Sequence, residues 1–494
     1  MSVQSSQALN ELLDIERRYD IAQWRIDGVH VWPLVRVWLF TDTMNRELLQ
    51  DEAPSSAAQF RIRARRLIQA RWRVASASWQ DRRANAQLDC AVEAVFYSDG
   101  VNFVRVGGLW YDKLFDPIIG WLRRHGGKHL MLTPMEQAYH PRASASRFVQ
   151  PRLDAIKLLA SLKSGVAGEV NLPGFDAAMA GRSMTRPRLL RLWNRLLALS
   201  EYFGSVLKRA RPARAFVNTY YSIEGMAFVL ACRRCGVPVA DVQHGIQGDY
   251  HAAYGQWLNI PAAGYDLLPD EFWVWGDDER RAIDCWRPRG SRIHAPVVAG
   301  NAWLELWRGA PEPFVALALH QAHLLRRVGA RCCVLVTLQW GLQEEETLNL
   351  LRAIGKTPAD FQWWLRLHPL VAQERGPLRA MVKRCGLSGV EIDGPTDLPL
   401  HALLRVADVH VTHGSSAVIE AAEFGVPSVV CSDYGVEYFA AQIAAGLAVP
   451  ARSDQEIATA VEALAARGRG QIRSRRDGGT LEAALAQAFP LLST

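Results

Sequence analysis

Late in the chain the apolar run Phe361-Gln362-Trp363-Trp364-Leu365-Arg366-Leu367 ends in His368-Pro369. Proline removes a backbone donor and keeps the residue before it extended, so the His368 ring is aimed from a fixed point. An imidazole held that way suits a phosphate oxygen, above all as imidazolium. Further on, Thr412-His413-Gly414-Ser415-Ser416-Ala417-Val418-Ile419-Glu420 sets a glycine and two hydroxyls between an apolar run and a helical one. Ser415 or Ser416 can cap that helix, and the free amides and positive dipole end there favour phosphate. Glu420, about one turn in, suits a pair of ribose hydroxyls. By itself such a loop is an ordinary helix cap. With His368-Pro369 in the same half, it describes a pocket for a nucleotide monophosphate or diphosphate.

These residues need a scaffold that presents strand ends, and the hydrophobic pattern supplies one. A helical, tryptophan-bearing stretch runs from Ser6 to Arg83. The period then shortens. Ala91–Tyr97 reads as a strand closed by Ser98-Asp99-Gly100, Asp112–Arg124 as a helix, and His129–Pro134 as the next strand. After an arginine-rich helical region come strand Ala215–Tyr220, helix Ser222–Cys235 and strands Val239–Gln243 and Glu271–Gly276, with Pro296–Asn301 expected to leave the sheet. A second series follows: strand Cys333–Leu338, helix Glu344–Ile354, strands Phe361–Leu367 and Val390–Ile392, helix Pro399–Val406, strand Val409–Thr412, helix Ala417–Phe424 and strand Ser428–Val430. Such alternation predicts an α/β protein with two doubly wound Rossmann-type domains facing a cleft. The expected boundaries are 1–85 for a basic helical region, 86–300 for an acceptor domain and 301–494 for a nucleotide-binding domain. Ligands of open parallel sheets bind beyond the carboxyl ends of the strands.

Bulk properties agree. The 494 residues, 49% hydrophobic and 22% charged, exclude a disordered or collagenous chain and a single small module. No run of about 20 apolar residues occurs, and Met1 is followed by Ser2, Gln4 and Ser5, so neither a spanning helix nor a signal peptide is expected and the cytoplasm is the expected location. The eight cysteines are scattered and expected to be reduced. The net charge of +7 is clustered, first between Arg61 and Arg83 with Trp72 and Trp79 interleaved, then over Arg182, Arg186, Arg188, Arg191, Arg195, Lys208, Arg209, Arg211 and Arg214. Basic helices with tryptophan can lie on an anionic membrane surface at its inner face; a solvated helix face is equally in keeping. No helix-turn-helix, zinc-finger or RNP signature points to nucleic acid.

The His-Pro and Ser-Ser elements resemble those of bacterial nucleotide-sugar glycosyltransferases of GT-B fold, and more narrowly the CMP-sugar sialyltransferases and capsule or lipopolysaccharide Kdo transferases. The resemblance covers roughly residues 90–450 in pattern and implies CMP binding by His368, Pro369, Ser415 and Ser416, beside which Gly414 and Glu420 are read as further nucleotide-binding residues. Gln243-His244-Gly245 resembles a turn of capsule-polysaccharide proteins, and a comparable His-Gly serves catalysis in teichoic-acid glycerophosphotransferases, which leaves the donor type open. The sialyltransferases carry an acidic pair before glycine; Ser98-Asp99-Gly100 is one acid short.

An inverting displacement needs a base near the acceptor hydroxyl. His244, Glu224 and Asp99 are the candidates, His244 first because its place between Gln243 and Gly245 at a strand end is unlike that of a core histidine; a structural histidine locked in one tautomer is the alternative. Gln243, Gly245 and Asp249 are read as acceptor-side residues. Asp249 or Asp112 could also serve, and a retaining reaction would need a carboxylate nucleophile. Cys232-Arg233-Arg234-Cys235 falls late in a helix without a second pair, and no Asp-x-Asp loop follows a strand, so neither a metal nor another cofactor is expected. The partners implied are a nucleotide-sugar donor and a glycan or lipid-linked acceptor. A CDP-polyol phosphate transferase, a sugar-nucleotide epimerase and a non-catalytic subunit of a polysaccharide assembly complex are the other readings.

Overall fold

Ala94-Val95-Phe96-Tyr97 has no polar side-chain group but one phenolic hydroxyl, and all four residues are buried. Strands covered on both faces are the mark of a parallel sheet sandwiched by helices, and two such sheets organise the chain. The computed structural model describes residues 3–45, 91–106, 108–134, 140–161, 165, 168–245, 247, 251–309, 313–339, 341–368, 371–470 and 480–492. In chain order the strands are β1 (Arg25–Ile26), β2 (Val29–His30), β3 (Ala94–Tyr97), β4 (Phe103–Val106), β5 (Leu109–Asp112), β6 (His129–Thr133), β7 (Arg147–Phe148), β8 (Val170–Asn171), β9 (Arg214–Val217), β10 (Val239–Val242), β11 (Glu271–Val274) and β12 (Ala295–Val298). They continue with β13 (Cys332–Thr337), β14 (Phe361–Arg366), β15 (Val390–Glu391), β16 (Val409–Thr412), β17 (Ser428–Val430) and β18 (Ala448–Pro450).

The first sheet has the order β12-β11-β10-β9-β3-β6-β7, the second β15-β14-β13-β16-β17-β18, and the pairings in both are parallel. Alternate residues of the first sheet face different cores. Val95, Tyr97, Ala215 and Val217 join the helices Arg186–Ala210 and Ile223–Cys235, while Ala94, Phe96 and Phe216 join the helix Phe115–Arg124. In the second sheet Val334, Val336, Trp363, Leu365, Val409 and Val411 form one core with the helices Glu344–Gly355 and Asp454–Arg467.

The sequence expectations differ from the fold in three places. The helices Val3–Arg18 and Trp32–Asn45 do not form a region of their own: Leu9, Leu12, Leu13, Ile15, Trp24 and Trp32 belong to the core of the first sheet. An apolar stripe that long must be covered, and the sheet's helices cover it. The C-terminal helix Leu481–Ala488 returns to the first unit, where Leu485 and Phe489 pack with Phe216 and Ile118, while the second unit begins at Trp303. Finally, Ala295–Val298 does not leave the sheet; it is the edge strand beside β11. Ala295 N donates to Asp270 O just before β11 and Ala299 N to Val274 O at its end, so Pro296 falls on the outward phase, where its missing donor costs nothing.

Within the second basic cluster, Arg186 pairs with Asp176, Arg188 lies over Trp38, Arg195 donates to Ser161 and Arg214 pairs with Glu271. The first cluster, Arg61–Arg83, lies outside the described residues, as do Pro369 and Asp249. Among the described residues no helix is long and apolar enough to cross a membrane, and no three His, Cys, Asp or Glu side chains are grouped so that they could hold a metal ion.

Candidate functional site

The order of each sheet reverses at one point, where ligands of open α/β sheets bind. In the first unit the reversal lies between β3 and β9, so the segments Ser98–Val101 and Asn218–Ser222 meet there. Asp99 is the knot. Asn218 Nδ2 donates to its Oδ1 (2.6 Å), Thr219 Oγ1 to its Oδ2 (2.7 Å), and Val101 N to Oδ1 (3.0 Å). Its carboxylate is thus engaged by this turn. The reward is Thr219 held at φ 56°, a left-handed conformation that a β-branched residue rarely adopts. A β-carbon on Gly225 would stand 2.5 Å from the Thr219 carbonyl, so only glycine lets the helix Ile223–Cys235 approach this turn.

That turn delivers Tyr221, whose hydroxyl lies 3.2 Å from His244 Nε2 at the end of β10. His244 is half-buried, and its Nδ1 is buried with no hydrogen-bond partner among the described residues. Burial pushes its pKa below the ordinary histidine value; the Asp99 charge opposes this and the Lys113 charge adds to it. The ring is therefore neutral at pH 7 and able to take a proton. Gln243, read from sequence as an acceptor-side residue, is wholly buried. Its Nε2 donates to Gly245 O (2.9 Å) and its Oε1 accepts from Trp275 N (2.7 Å), so it fixes the turn that carries His244. Glu224 is paired with Lys157 at 2.8 Å. Asp112 has no exposed surface and accepts from Leu114 N, Phe115 N and Ser98 Oγ, capping the helix Phe115–Arg124.

Beneath the cluster, Asp241 accepts from Tyr220 N (3.1 Å) and Tyr254 Oη (2.9 Å), and burial pushes its pKa up to about 8. Asp116, buried beside Asp112, is pushed to about 7. Both carboxyls hold a proton in the folded state that the unfolded chain releases above about pH 4. The stability this confers is complete below that value and lost as pH rises through 7 and 8. The melting temperature is therefore expected to fall from about pH 5 to about pH 8, and Asp241→Asn to flatten that fall; a melting temperature constant across the range would contradict both protonation states.

In the second unit the reversal lies between β13 and β16. Thr337 is in register with Arg366 and Thr412, so Leu338-Gln339, Leu367-His368 and His413-Gly414-Ser415 leave the sheet at one level. His368 follows β14 and Ser415 follows β16, the two strands that flank β13. Arg366 fixes β14 from below through the carbonyls of Pro395 and Leu398. Burial and the Arg366 charge push the His368 pKa below its ordinary value, so it meets a ligand as neutral imidazole at pH 7. Ser415 Oγ accepts from Ala417 N (3.3 Å) and Ser415 N donates to Thr412 Oγ1 (3.2 Å), whereas Ser416 is exposed and its side chain caps nothing. His413 is buried, with its Nδ1 unpartnered among the described residues. Glu420 faces His401 Nε2 at 3.3 Å, and His401 Nδ1 accepts from Trp303 Nε1 (2.9 Å), so its carboxylate is turned to that histidine.

Both reversal points thus bring together residues the sequence reading had named, His244 with Asp99 and His368 with Gly414 and Ser415. They add Asn218, Thr219, Tyr221 and His413, which it had not. Polar residues directly after a strand were the only signal for these, and the left-handed turn at Thr219 left none.

Two parallel, doubly wound sheets carried by two Rossmann-like units place the chain in the GT-B class of architecture. No family model and no curated protein matches the chain. Among solved structures, a UDP-GlcNAc 2-epimerase from Neisseria meningitidis bound to UDP-GlcNAc is similar with a TM-score of 0.49 at 15% identity, over 81% of this chain and 99% of that one. The UDP-GlcNAc 2-epimerase of Methanocaldococcus jannaschii gives 0.48 at 11% identity over 81% and 99%. The calicheamicin glycosyltransferase CalG4 gives 0.47 at 16% identity over 82% and 100%. At such identities and scores nothing about chemistry passes from these proteins to this chain.

Proposed function

We propose that the chain is a glycosyltransferase that moves a sugar from a nucleotide donor to a surface-polysaccharide or lipid-linked acceptor, with a CMP-linked sugar such as Kdo as the expected donor. The observation that carries the reading is the pair of reversal points. One offers His368, the Gly414 amide and the Ser415 hydroxyl to a phosphate; the other offers a neutral, half-buried His244 as base. His244 takes the proton of the acceptor hydroxyl as its oxygen attacks the anomeric carbon; the bond from that carbon to the phosphate oxygen breaks, and CMP leaves with the electron pair. His368 and Ser415 hold the leaving phosphate through donors of their own, so we expect transfer to persist in EDTA. The basic stretch Arg61–Arg83 is proposed to bring the enzyme to the inner face of an anionic membrane.

Calorimetry of the full chain with CMP tests the donor side. Wild type is expected to bind, and His368→Ala to bind about tenfold more weakly, the loss of one neutral hydrogen bond to an anion. Equal affinity in the two proteins would remove His368 from the pocket. Product analysis then separates transfer from epimerisation, because an epimerase needs no acceptor.

A further inference from the structure

The aromatic ring beside the His413-Gly414-Ser415 loop has no task in the reading so far. Tyr434 opens the helix Asp433–Tyr438 after β17, and 50% of it is exposed. Single exposed aromatics are common and need no explanation. This one is held unusually firmly. Ser432 Oγ donates to the His413 carbonyl (2.5 Å) and accepts from Gly435 N (3.0 Å), so one hydroxyl ties the loop to the start of the helix. A β-carbon on Gly435 would run into that same carbonyl, which means the two segments meet backbone to backbone. The Tyr434 ring atoms Cδ1 and Cε1 lie 3.1 and 3.3 Å from the point where a β-carbon on Gly414 would stand, and Gln339 Nε2 lies 3.5 Å from that point. Behind Tyr434, the ring of Tyr438 stacks at 5.6 Å with an interplanar angle of 22°, and Tyr438 packs on the small core of Val418, Val430, Phe439 and Ala448.

The ring is therefore backed by another ring and wedged along one edge by Gly414, the residue before Ser415, yet half open to solvent. A flat aromatic surface fixed in advance binds a nucleobase with little loss of side-chain freedom, and stacking accepts any base because each has a π-face. We propose that Tyr434 is the platform on which the base of a bound nucleotide stacks, with the Gln339 carboxamide, a donor and an acceptor in one group, at the polar edge of that base. This rests on the reading of the second unit as the nucleotide site.

The experiment is calorimetric titration of the full chain with CMP, UMP, AMP, GMP and inorganic pyrophosphate. Tyr434→Ala is expected to weaken the tightest nucleotide by about tenfold or more while pyrophosphate binding stays at the wild-type value; Tyr434→Phe, which keeps the ring, should bind like wild type. Nucleotide binding by Tyr434→Ala at wild-type strength overturns the platform alone. Equal weakening of nucleotide and pyrophosphate also overturns it, since the residue would then only shape the loop. If wild type binds none of the four nucleotides, the nucleotide reading of the second unit falls and takes the platform with it.

Discussion

Replacing His244 with alanine is expected to lower the rate of sugar transfer by about 10²- to 10⁴-fold, the range that a positioned general base contributes. CMP affinity should stay at the wild-type value, because the residues we propose to hold the phosphate, His368 and Ser415, lie in the other unit. The melting temperature should move little, since the ring's hydrogen bond to Tyr221 is not part of a core. The pH profile carries the sharper signature. With its pKa pushed down by burial, His244 stays neutral below the usual histidine range of about 6.5, so the acidic limb of the rate should lie below that value. Tyr221→Phe keeps the ring packed against His251 and Tyr254 but removes the hydroxyl from Nε2. A loss of about tenfold, of the size of one hydrogen bond, is expected. A His244→Ala enzyme that transfers sugar at the wild-type rate would return the role of base to a carboxylate, with Glu224 next in line.

The second large effect concerns stability. Glu16 and Arg36 have no exposed surface and pair with each other between the first two helices. Arg36 also donates to the carbonyls of Ala252 (2.8 Å), Gly255 (3.0 Å) and Gln256 (3.2 Å) and lies 4.3 Å above the Trp257 ring. Glu16 accepts from Trp32 Nε1 (2.7 Å) and Leu258 N (2.6 Å). The N-terminal helices thus clamp residues 252–258, the segment carrying Tyr254, which packs on Tyr221 and donates to Asp241. Arg36→Ala would leave a buried carboxylate without its counter-charge, and a loss of about 3 to 5 kcal/mol is expected in urea unfolding. The double variant Glu16→Gln, Arg36→Met should cost less than the sum of the single changes, because no charge is then stranded. Additive losses would show that the pair is not coupled.

Much of this was legible in the chain itself. Val239–Val242, Cys333–Thr337 and Val409–Thr412 are apolar runs too short for helices and bounded by turn residues, so two parallel sheets followed from composition and spacing, and with them the rule that chemistry sits at the strand ends. The same rule singles out His244, His368 and Ser415, each of which follows a strand of one of the two sheets. The short strands β4 and β5 were not legible, because Phe103–Val106 and Leu109–Asp112 are four-residue runs each with an exposed member and carry little hydrophobic signal, and β12 differs from the expectation because proline is excluded from central strands but allowed on an edge.

Strand order was beyond the sequence, since a parallel run does not say which strand it lies beside. The order brought Asp99 to Asn218 and Thr219, which locked its carboxylate into a turn and left His244 as the base we propose. It also set Tyr434 against Gly414, and sent the N-terminal helices and the last helix to the core of the first sheet. Local pattern determines which segments are strands and which residues close them; the burial of each face, shared by segments far apart in the chain, decides the neighbours of each and therefore which polar groups are spent on structure and which are left for a ligand.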